Sequence, residues 1–282
     1  TWNSLLFGYV SMGKCEMALC LWRAMYQDRN VNPDKYTVVC VLKACSTIGY
    51  ILPGKFVHNL IVEDGIECDR FIRSSLVSMY ATCGNIHDAQ NTFDFSLEKS
   101  MVMWNTLISG YSWNGNGDKV IEYFIKMQGE GHIPNQVTLV STLQACSNIP
   151  DPQLGMQVHS YIIELNHDSN VFIESTLVAM YTQSRCLDES LHVFNSSMKQ
   201  DNVTWGVLIS GFVRCGQHED AISHYKNMKK MGLKMSETIY VCILKSCSNV
   251  RAIELGKMIH LEIIAENCQS KVYVANALID IY

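Results

Sequence analysis

Apolar residues recur at helical spacing along the whole chain. Residues 101–127 show the pattern clearly, with two apolar stripes separated by a glycine-containing break. The first stripe has i, i+3, i+4, i+7 spacing and consists of Trp104, Leu107, Ile108 and Tyr111. The second consists of Val120, Ile121, Phe124 and Met127. The alternation typical of strands does not occur, so the pattern predicts helical hairpins.

Glycines mark the breaks in this pattern. Five occupy the predicted turn inside a hairpin: Gly13, Gly49, Gly84, Gly115 and Gly216. Three more follow a second helix, where a C-terminal glycine is expected: Gly65, Gly131 and Gly232. Gly8, Gly110 and Gly211 instead lie inside the first helix, where glycine costs about 1 kcal/mol relative to alanine. Their recurrence predicts close packing of that helix against a neighbour.

The hairpins repeat in wording as well as in pattern. The string "TWNSLLFGYV" returns as "MWNTLISGYS" from Met103 and as "TWGVLISGFV" from Thr204. Sub-units of 35, 35 and 31 residues alternate, with boundaries at 1–34, 35–69, 70–100, 101–135, 136–170, 171–201, 202–236, 237–271 and a fragment 272–282. One hairpin cannot bury its apolar face alone, whereas a stack of hairpins can. We therefore predict an all-α fold, a right-handed α-solenoid of eight helix-turn-helix repeats and a partial ninth, as a single domain over residues 1–282.

Composition and charge narrow the function classes. Apolar residues make up 48% of the chain, which excludes a disordered chain. We find no apolar run long enough to span a bilayer and expect no membrane partner. The formal net charge of −5 lowers the expectation of a nucleic-acid binder, because such proteins usually present a basic face. The chain starts inside a repeat and stops on "ANALIDIY", the beginning of another, so we interpret it as an excerpt from a longer protein.

Twelve cysteines raise the question of a metal site or disulfides, but no C-x-x-C occurs. Three cysteines recur at one repeat position, which favours small buried thiols in a reducing compartment: Cys45, Cys146 and Cys247. Three histidines recur among apolar neighbours and are expected to pack or cap: His58, His159 and His260. The "HLE" at His260 matches half of a zinc-deaminase signature, but the P-C-x-x-C half is missing. We expect no metal, no cofactor, no small-molecule substrate and no catalytic residue.

The wording of the repeats resembles the pentatricopeptide repeat family, as in "WNTLISGY…GHIPN". The alternating lengths are similar to the P-, L- and S-type motifs of its plant organellar subclass, and "VLKACSTIG" and "RSSLVSMYATCGNIHDAQNTFD" are similar to the L- and S-type wording. The resemblance covers the whole chain. It implies binding of single-stranded RNA, one base per repeat, in a mitochondrion or chloroplast. It also implies a specificity factor for C-to-U editing acting with other editing-complex proteins, any deaminase lying in a C-terminal E or DYW-type region absent here.

The resemblance also implies which residues contact RNA, because in this family the fifth and last residues of a motif read the base. By register these are Asn3, Asp34, Ser74, Ser100, Asn105, Asn135, Ser175, Asp201, Gly206, Ser236 and Asn276. The second residues of successive motifs sandwich the base, and here they are Tyr36, Phe71, Val102, Val137, Phe172, Val203 and Tyr273, with Thr238 in the eighth motif. Aromatic and valine side chains suit stacking. Ordinary helix core is an alternative explanation for the valines.

The reading pairs imply part of an RNA sequence. Asp only accepts hydrogen bonds and suits a base with N–H on its pairing edge, whereas Asn donates and accepts. The assigned pairs are Asn3 with Asp34 for U, Asn105 with Asn135 for C or U, and Ser175 with Asp201 for G. The predicted core is 5′-U-N-N-Y-N-G-3′. Pairs without a polar fifth residue are expected to be weak readers or spacers: Val39 with Asp69, Val140 with Asn170, and Val241 with Lys271. The pairs Ser74 with Ser100 and Gly206 with Ser236 depart from the family's usual residues and receive no base.

Two other functions stay open. A pentatricopeptide RNA binder acting in splicing, RNA stabilisation or translation fits the same motifs, and a protein-binding helical-repeat scaffold fits the acidic balance. The family commonly has Lys two positions before the turn, near the phosphates. Those places hold Ser11, Thr82, Trp113, Gln183 and Arg214, of which one is basic. The sequence therefore predicts modest RNA affinity with a shallow salt dependence.

Overall fold

The computed structural model describes residues 1–28, 32–66, 69–149, 151–167, 170–197, 200–266 and 272–281. Within these ranges it contains seventeen α-helices and no strand, so the all-α prediction is confirmed. The chain divides into two compact units, Thr1–Ala145 and Cys146–Tyr282. The single-domain organisation over residues 1–282 stays a prediction.

The first unit is built from consecutive helical hairpins. Its helices are α1 (Trp2–Ser11), α2 (Cys15–Gln27), α3 (Lys35–Ile48), α4 (Ile51–Glu63), α5 (Arg70–Thr82), α6 (Ile86–Asp94), α7 (Met101–Trp113) and α8 (Gly117–Gly129), and α9 (Gln136–Asn148) begins there. Each odd-numbered helix from α1 to α5 contacts its hairpin partner and the next odd-numbered helix. This is the nearest-neighbour stacking expected of helical repeats.

The second unit repeats the arrangement. Its helices are α10 (Pro152–Glu164), α11 (Val171–Gln183), α12 (Leu187–Ser196), α13 (Asn202–Arg214), α14 (His218–Lys230), α15 (Glu237–Asn249), α16 (Ile253–Ala265) and α17 (Val272–Ile279). Here α11 contacts α12 and α13, α13 contacts α14 and α15, and α15 contacts α16 and α17. The odd-numbered helices therefore form the continuous row in each unit, with the even-numbered helices beside them.

The recurring tryptophan of the first helices lies in the core of each unit. Trp104 on α7 contacts Phe93 on α6 edge-on, with ring centroids 4.6 Å apart. Trp205 on α13 contacts Phe194 on α12 in the same geometry and at the same centroid distance. Edge-to-face pairs of this kind add about 0.5–1.5 kcal/mol to the burial of the rings. The repeated wording thus encodes a repeated contact between successive hairpins.

The turns adopt the left-handed conformation that the glycines predicted. All eight glycines assigned to turns and helix ends have φ between 62° and 80°. At equivalent repeat positions the same conformation is taken by Asn166, Arg185 and Arg251, with φ of 53°, 63° and 56°. A left-handed conformation costs a residue with a Cβ about 1–2 kcal/mol. The hairpin geometry is therefore kept even where the glycine is replaced.

The glycines inside the first helices confirm the predicted close packing at two of three places. A Cβ on Gly211 would lie 2.5 Å from Cβ and Cγ2 of Thr182, and one on Gly110 would lie 3.1 Å from Cβ of Ala81. Gly8 has no described atom within 4 Å of such a Cβ, so the prediction is wrong there. The contact at Gly211 comes from the preceding first helix, α11, and the contacts at Gly110 come from α5 and from Ile86 at the start of α6.

A second set of packing glycines was missed by the sequence analysis. Gly54, Gly155 and Gly256 lie near the start of α4, α10 and α16. A Cβ on the first two would lie within 2.5 Å of Sδ of Met79 and Met180 respectively. These glycines allow the second helix of the predicted repeats 35–69 and 136–170 to approach the next first helix closely.

Candidate nucleic-acid interface

The last residue of each of the first seven predicted repeats caps the N-terminus of the next first helix. Its side-chain oxygen accepts hydrogen bonds from backbone N–H groups two or three residues ahead, as Asp34 does from Thr37 at 2.9 Å. The capping residues are Asp34, Asp69, Ser100, Asn135, Asn170, Asp201 and Ser236. Loss of such a cap costs about 1 kcal/mol. Helix capping alone therefore explains Asp, Asn or Ser at these positions. The sequence analysis did not predict this capping role.

The first reading pair forms a closed network. Asn3 Nδ2 donates to both carboxylate oxygens of Asp34, at 3.0 and 2.9 Å. The Thr37 hydroxyl lies 2.7 Å from Asn3 Oδ1 and 3.0 Å from Asp34 Oδ1. Partial burial raises the pKa of Asp34, but hydrogen bonds from Thr37 and Asn3 outweigh it, and the pKa ends below its ordinary value. The carboxylate is therefore ionised and positioned beside the asparagine.

The fourth pair meets through a shared threonine. The Thr138 hydroxyl lies 2.7 Å from Asn105 Oδ1 and 3.2 Å from Asn135 Oδ1. Asn135 Oδ1 also accepts from the backbone N–H of Val137 at 3.0 Å and of Thr138 at 3.2 Å. The two asparagines that the sequence assigned to one base thus share one hydrogen-bond network.

The other reading pairs differ among themselves. Ser74 and Ser100 lie within hydrogen-bond distance, with their hydroxyls 3.2 Å apart. The Ser175 hydroxyl donates to the Phe172 carbonyl at 3.1 Å, and Asp201 Oδ1 accepts from the Thr204 hydroxyl at 2.7 Å. In the seventh repeat, Gly206 has no side chain, and the Ser236 hydroxyl lies 2.8 Å from that of Thr238. Asn276, the fifth residue of the partial ninth repeat, is exposed on α17.

Three predicted repeats, 35–69, 136–170 and 237–271, have valine as the fifth residue. Val39, Val140 and Val241 are half-buried on their helices. Val39 lines a cleft of about 760 Å³ together with Asn3, Tyr36, Asp69 and Phe71. The partner proposed for Val241, Lys271, lies outside the described residues. The cleft thus has the apolar Val39 side chain in its lining together with the aromatic rings of Tyr36 and Phe71.

The second residues of the repeats are exposed in every case. Their exposed fractions range from 46% for Tyr273 to 69% for Phe172, and the full set is Tyr36, Phe71, Val102, Val137, Phe172, Val203 and Tyr273. Thr238 is exposed as well. Core packing therefore does not explain the valines. These seven exposed apolar side chains near the start of the first helices form a regular row within each unit, of the kind that marks a binding surface.

Two basic residues beside this row were missed by the sequence analysis. The Lys35 ammonium lies 5.5 Å from the centroid of the Tyr36 ring, and the Arg70 guanidinium lies 5.0 Å from that of Phe71. Both are the first residue of their repeat, and a comparison of first positions would have found them. They bring positive charge next to two stacking candidates in a chain of net charge −5.

The recurring cysteines and histidines lie apart from this surface. Burial raises the pKa of Cys45 and of Cys146 to about 12 and that of Cys247 to about 11, so these thiols stay protonated at neutral pH. His58 and His159 each hydrogen-bond a tyrosine hydroxyl at 2.8 Å, those of Tyr80 and Tyr181. Their predicted packing role is confirmed.

Searches for two other kinds of site gave negative results. No helix in the described part of the chain combines the length and the apolar character needed to cross a bilayer. Among the residues placed by the structure, no three His, Cys, Asp or Glu side chains form a cluster that would hold a metal ion.

Solved structures share this fold. The pentatricopeptide repeat protein PPR10 in complex with an 18-nt psaJ RNA element superimposes with a TM-score of 0.85 at 17% identity, over 100% of this chain and 42% of that one. A structure of PPR10 from maize gives a TM-score of 0.59 over 46% of its chain. The α-solenoid fold predicted from the sequence is thus confirmed.

Curated relatives come from Arabidopsis thaliana. A pentatricopeptide repeat-containing protein is 31% identical over 94% of this chain and 44% of its own length. A chloroplastic one is 32% identical over 100% of this chain and 33% of its own length, and a mitochondrial one is 32% identical over 91% and 40%. The chain thus spans less than half of these relatives.

A family model described as the PPR repeat family matches residues 1–47, 99–148 and 200–249, which together make up just over half of the chain. Each matched segment begins at one of the recurring first helices that carry Trp2, Trp104 and Trp205. On this evidence the chain belongs to the pentatricopeptide repeat family.

Proposed function

We propose that the chain binds single-stranded RNA in a sequence-specific manner, with one base for each P- or S-type repeat. The observation that carries the proposal is the row of seven exposed apolar residues at the second positions, six of which lie two residues past a polar helix cap. Stacking of a base on such a side chain contributes about 1–3 kcal/mol. PPR10, which shares the fold, was solved in complex with an RNA element.

The reading pairs supply the proposed specificity. In the first repeat, the Asn3 N–H donor and the ionised Asp34 acceptor bond each other in the free chain and would exchange that contact for the carbonyl and N3–H of U. In the fourth repeat, the asparagine pair suits a pyrimidine. In the sixth repeat, Asp201 accepts from the N1–H and amino group of G. The proposed core is therefore 5′-U-N-N-Y-N-G-3′, and Lys35 and Arg70 add charge for the backbone beside the second and third repeats.

The cellular role proposed for this binding is that of a specificity factor for C-to-U editing of an organellar transcript, acting with other editing-complex proteins. Relatives named chloroplastic and mitochondrial support an organellar site of action. The order of P-, L- and S-type lengths supports the editing role over splicing, stabilisation or translation.

The test is a binding titration against RNA containing U-N-N-Y-N-G, with the G replaced by A in the second RNA. We expect the replacement to weaken binding about tenfold or more, since a hydrogen bond to a charged group contributes about 1.5–3 kcal/mol. Asp201→Asn should then prefer the A-containing RNA, because Asn donates as well as accepts. Asp and Asn cap helices equally well, so this change keeps α13 intact.

Asp69→Asn is the matched control. Asp69 caps α5 as Asp201 caps α13, but it belongs to a repeat whose fifth residue, Val39, carries no hydrogen-bonding group. It should leave the preference for G unchanged. Equal affinity of the unchanged chain for the two RNAs would contradict the sixth-repeat assignment. Absence of RNA binding altogether would favour the protein-binding scaffold that the net charge of −5 suggests.

A further inference from the structure

Two buried threonines reach back to the reading asparagine of the preceding repeat. Thr37 on α3 and Thr138 on α9 are both 0% exposed. Their hydroxyl oxygens lie 2.7 Å from Oδ1 of Asn3 and of Asn105, respectively. Each threonine is the third residue of its repeat, directly after the exposed stacking residue. The contact thus links the fifth position of one repeat to the third position of the next.

The direction of the hydrogen bond follows from the neighbouring groups. Asn3 Nδ2 donates to both oxygens of Asp34, which as a carboxylate only accepts. Asn3 Oδ1 therefore faces Thr37, and the threonine hydroxyl donates to it. At the fourth repeat, the backbone N–H of Asn135 donates to the Thr138 hydroxyl oxygen at 3.3 Å. The hydroxyl hydrogen then has two acceptors within reach, and Asn105 Oδ1 at 2.7 Å is closer than Asn135 Oδ1 at 3.2 Å.

This bond decides which end of the amide a base meets. With Oδ1 bonded to threonine, the Nδ2 end of the amide is the end left for other partners, which for Asn3 is the Asp34 carboxylate in the free chain. The oxygen and nitrogen ends of an amide have nearly the same shape. Without the threonine hydroxyl, either end of the asparagine amide can therefore face the base. The repeat then loses its preference for a base that has a hydrogen-bond acceptor opposite the asparagine.

Four other fifth residues, none of them asparagine, are followed by apolar third residues, whereas Ser175 is followed by Thr204, whose hydroxyl donates to Asp201. The fifth residues Val39, Ser74, Val140 and Gly206 are followed by the third residues Ile72, Met103, Ile173 and Ile239. In the seventh repeat, Ile239 Cδ1 lies 3.5 Å from the place of a Cβ on Gly206. The third residue therefore faces the fifth position there as well, but it has no hydroxyl to donate.

We propose that Thr37 and Thr138 are positioning residues that fix the amide orientation of Asn3 and Asn105 and thereby set the base selectivity of the first and fourth repeats. The inference rests on the proposed RNA-binding function. It assigns selectivity to a buried residue that itself does not reach the RNA.

The test measures affinity for four RNAs that differ only in the fourth base of the core, for the unchanged chain and for Thr138→Val and Thr138→Ser. Valine keeps the shape and removes the hydroxyl, whereas serine keeps the hydroxyl. We expect Thr138→Val to reduce the pyrimidine-over-purine affinity ratio about threefold to tenfold, the range for loss of one hydrogen bond. Thr138→Ser should keep the ratio. Thr204→Val, which removes a hydroxyl bonded to the cap Asp201, should leave the fourth-base ratio unchanged.

A role for Thr138 in folding alone would lower the affinity for all four RNAs equally and leave the ratio unchanged. That result, with an unchanged chain that prefers pyrimidines, would overturn the inference and leave the proposed function standing. An unchanged chain with no preference at the fourth base would overturn both. As a gain-of-function test, Gly206→Asn with Ile239→Thr should create a preference at the seventh base that Gly206→Asn alone does not.

Discussion

Replacing Gly211 by alanine tests how closely the first helices pack. The added Cβ would lie 2.5 Å from Cβ and Cγ2 of Thr182, a buried residue whose branched side chain cannot rotate away and whose hydroxyl donates to Ala179 at 2.9 Å. Alanine gains about 1 kcal/mol over glycine as a helix former. Overpacking of a close contact costs about 1–3 kcal/mol. We expect a net destabilisation of up to about 2 kcal/mol.

Two other glycines at the same repeat position serve as controls. Gly8→Ala meets no described atom within 4 Å and should stabilise α1 by up to about 1 kcal/mol. Gly110→Ala meets the end of Ile86 at 2.9 Å and Cβ of Ala81 at 3.1 Å, so its effect should fall between the two. The order Gly8, Gly110, Gly211 is therefore predicted for increasing destabilisation.

The assay combines urea unfolding with amide hydrogen exchange of α11 and α13. Exchange is needed because a helical-repeat array does not have to unfold in a single two-state step, and a local change is then diluted in the global midpoint. Faster exchange confined to α11, α13 and their neighbours is expected for Gly211→Ala. Equal stabilisation by Gly211→Ala and Gly8→Ala would refute the close approach of α13 to α11.

Three further predictions concern a turn, a cap and the stacking row. Arg185→Gly should stabilise the second unit by about 0.5–1 kcal/mol in urea unfolding. Glycine removes the strain of the left-handed conformation but loses more backbone entropy on folding, so only part of the strain energy is gained. Destabilisation by this change would contradict the φ of 63°. Because folding lowers the pKa of Asp34, the ionised side chain stabilises the fold above its ordinary pKa of 3.8, and this stabilisation is lost as the pH falls through the lower folded pKa. Asp34→Asn should therefore make the urea midpoint depend less on pH in the acid range. An unchanged pH dependence would argue against this stabilisation. Phe71→Ala should weaken RNA binding about fivefold or more by loss of stacking. Phe95→Ala, which changes a more exposed ring outside the second positions, should not, and equal effects of the two changes would argue against the row.

The hairpins and their turns could be predicted from the sequence because they depend on local signals. Apolar spacing gives the helices, and a glycine that needs positive φ marks its turn without knowledge of any neighbour. The close approach at Gly110 and Gly211 was also predictable, since an unfavourable residue that recurs inside a helix needs a packing reason. Its absence at Gly8 was not, because the sequence around Gly8 is nearly the same as that around the other two glycines.

The site could be predicted only in part, because one residue type serves two purposes. Asp34 and Asp201 fit a base-reading role and a helix-capping role equally well. The structure shows the capping and does not test the base reading. The contacts of Thr37 and Thr138 join residues in different repeats, and nothing in the local sequence around a threonine indicates that it faces an asparagine one repeat earlier. Such pairs become visible only when hairpins are stacked.

Capping by the last residue of each repeat limits how the RNA preference can change. Under the proposed function, the side chain that selects a base also caps the following helix, so a substitution there changes both the base selectivity and the stability of that helix. Asp, Asn, Ser and Thr satisfy the helix, whereas a larger or apolar residue would lose about 1 kcal/mol of stability at each repeat. Only a few short polar residues can therefore be used at this position to change the RNA sequence that is bound. Wider variation has to come from the fifth position and from the threonine that contacts it.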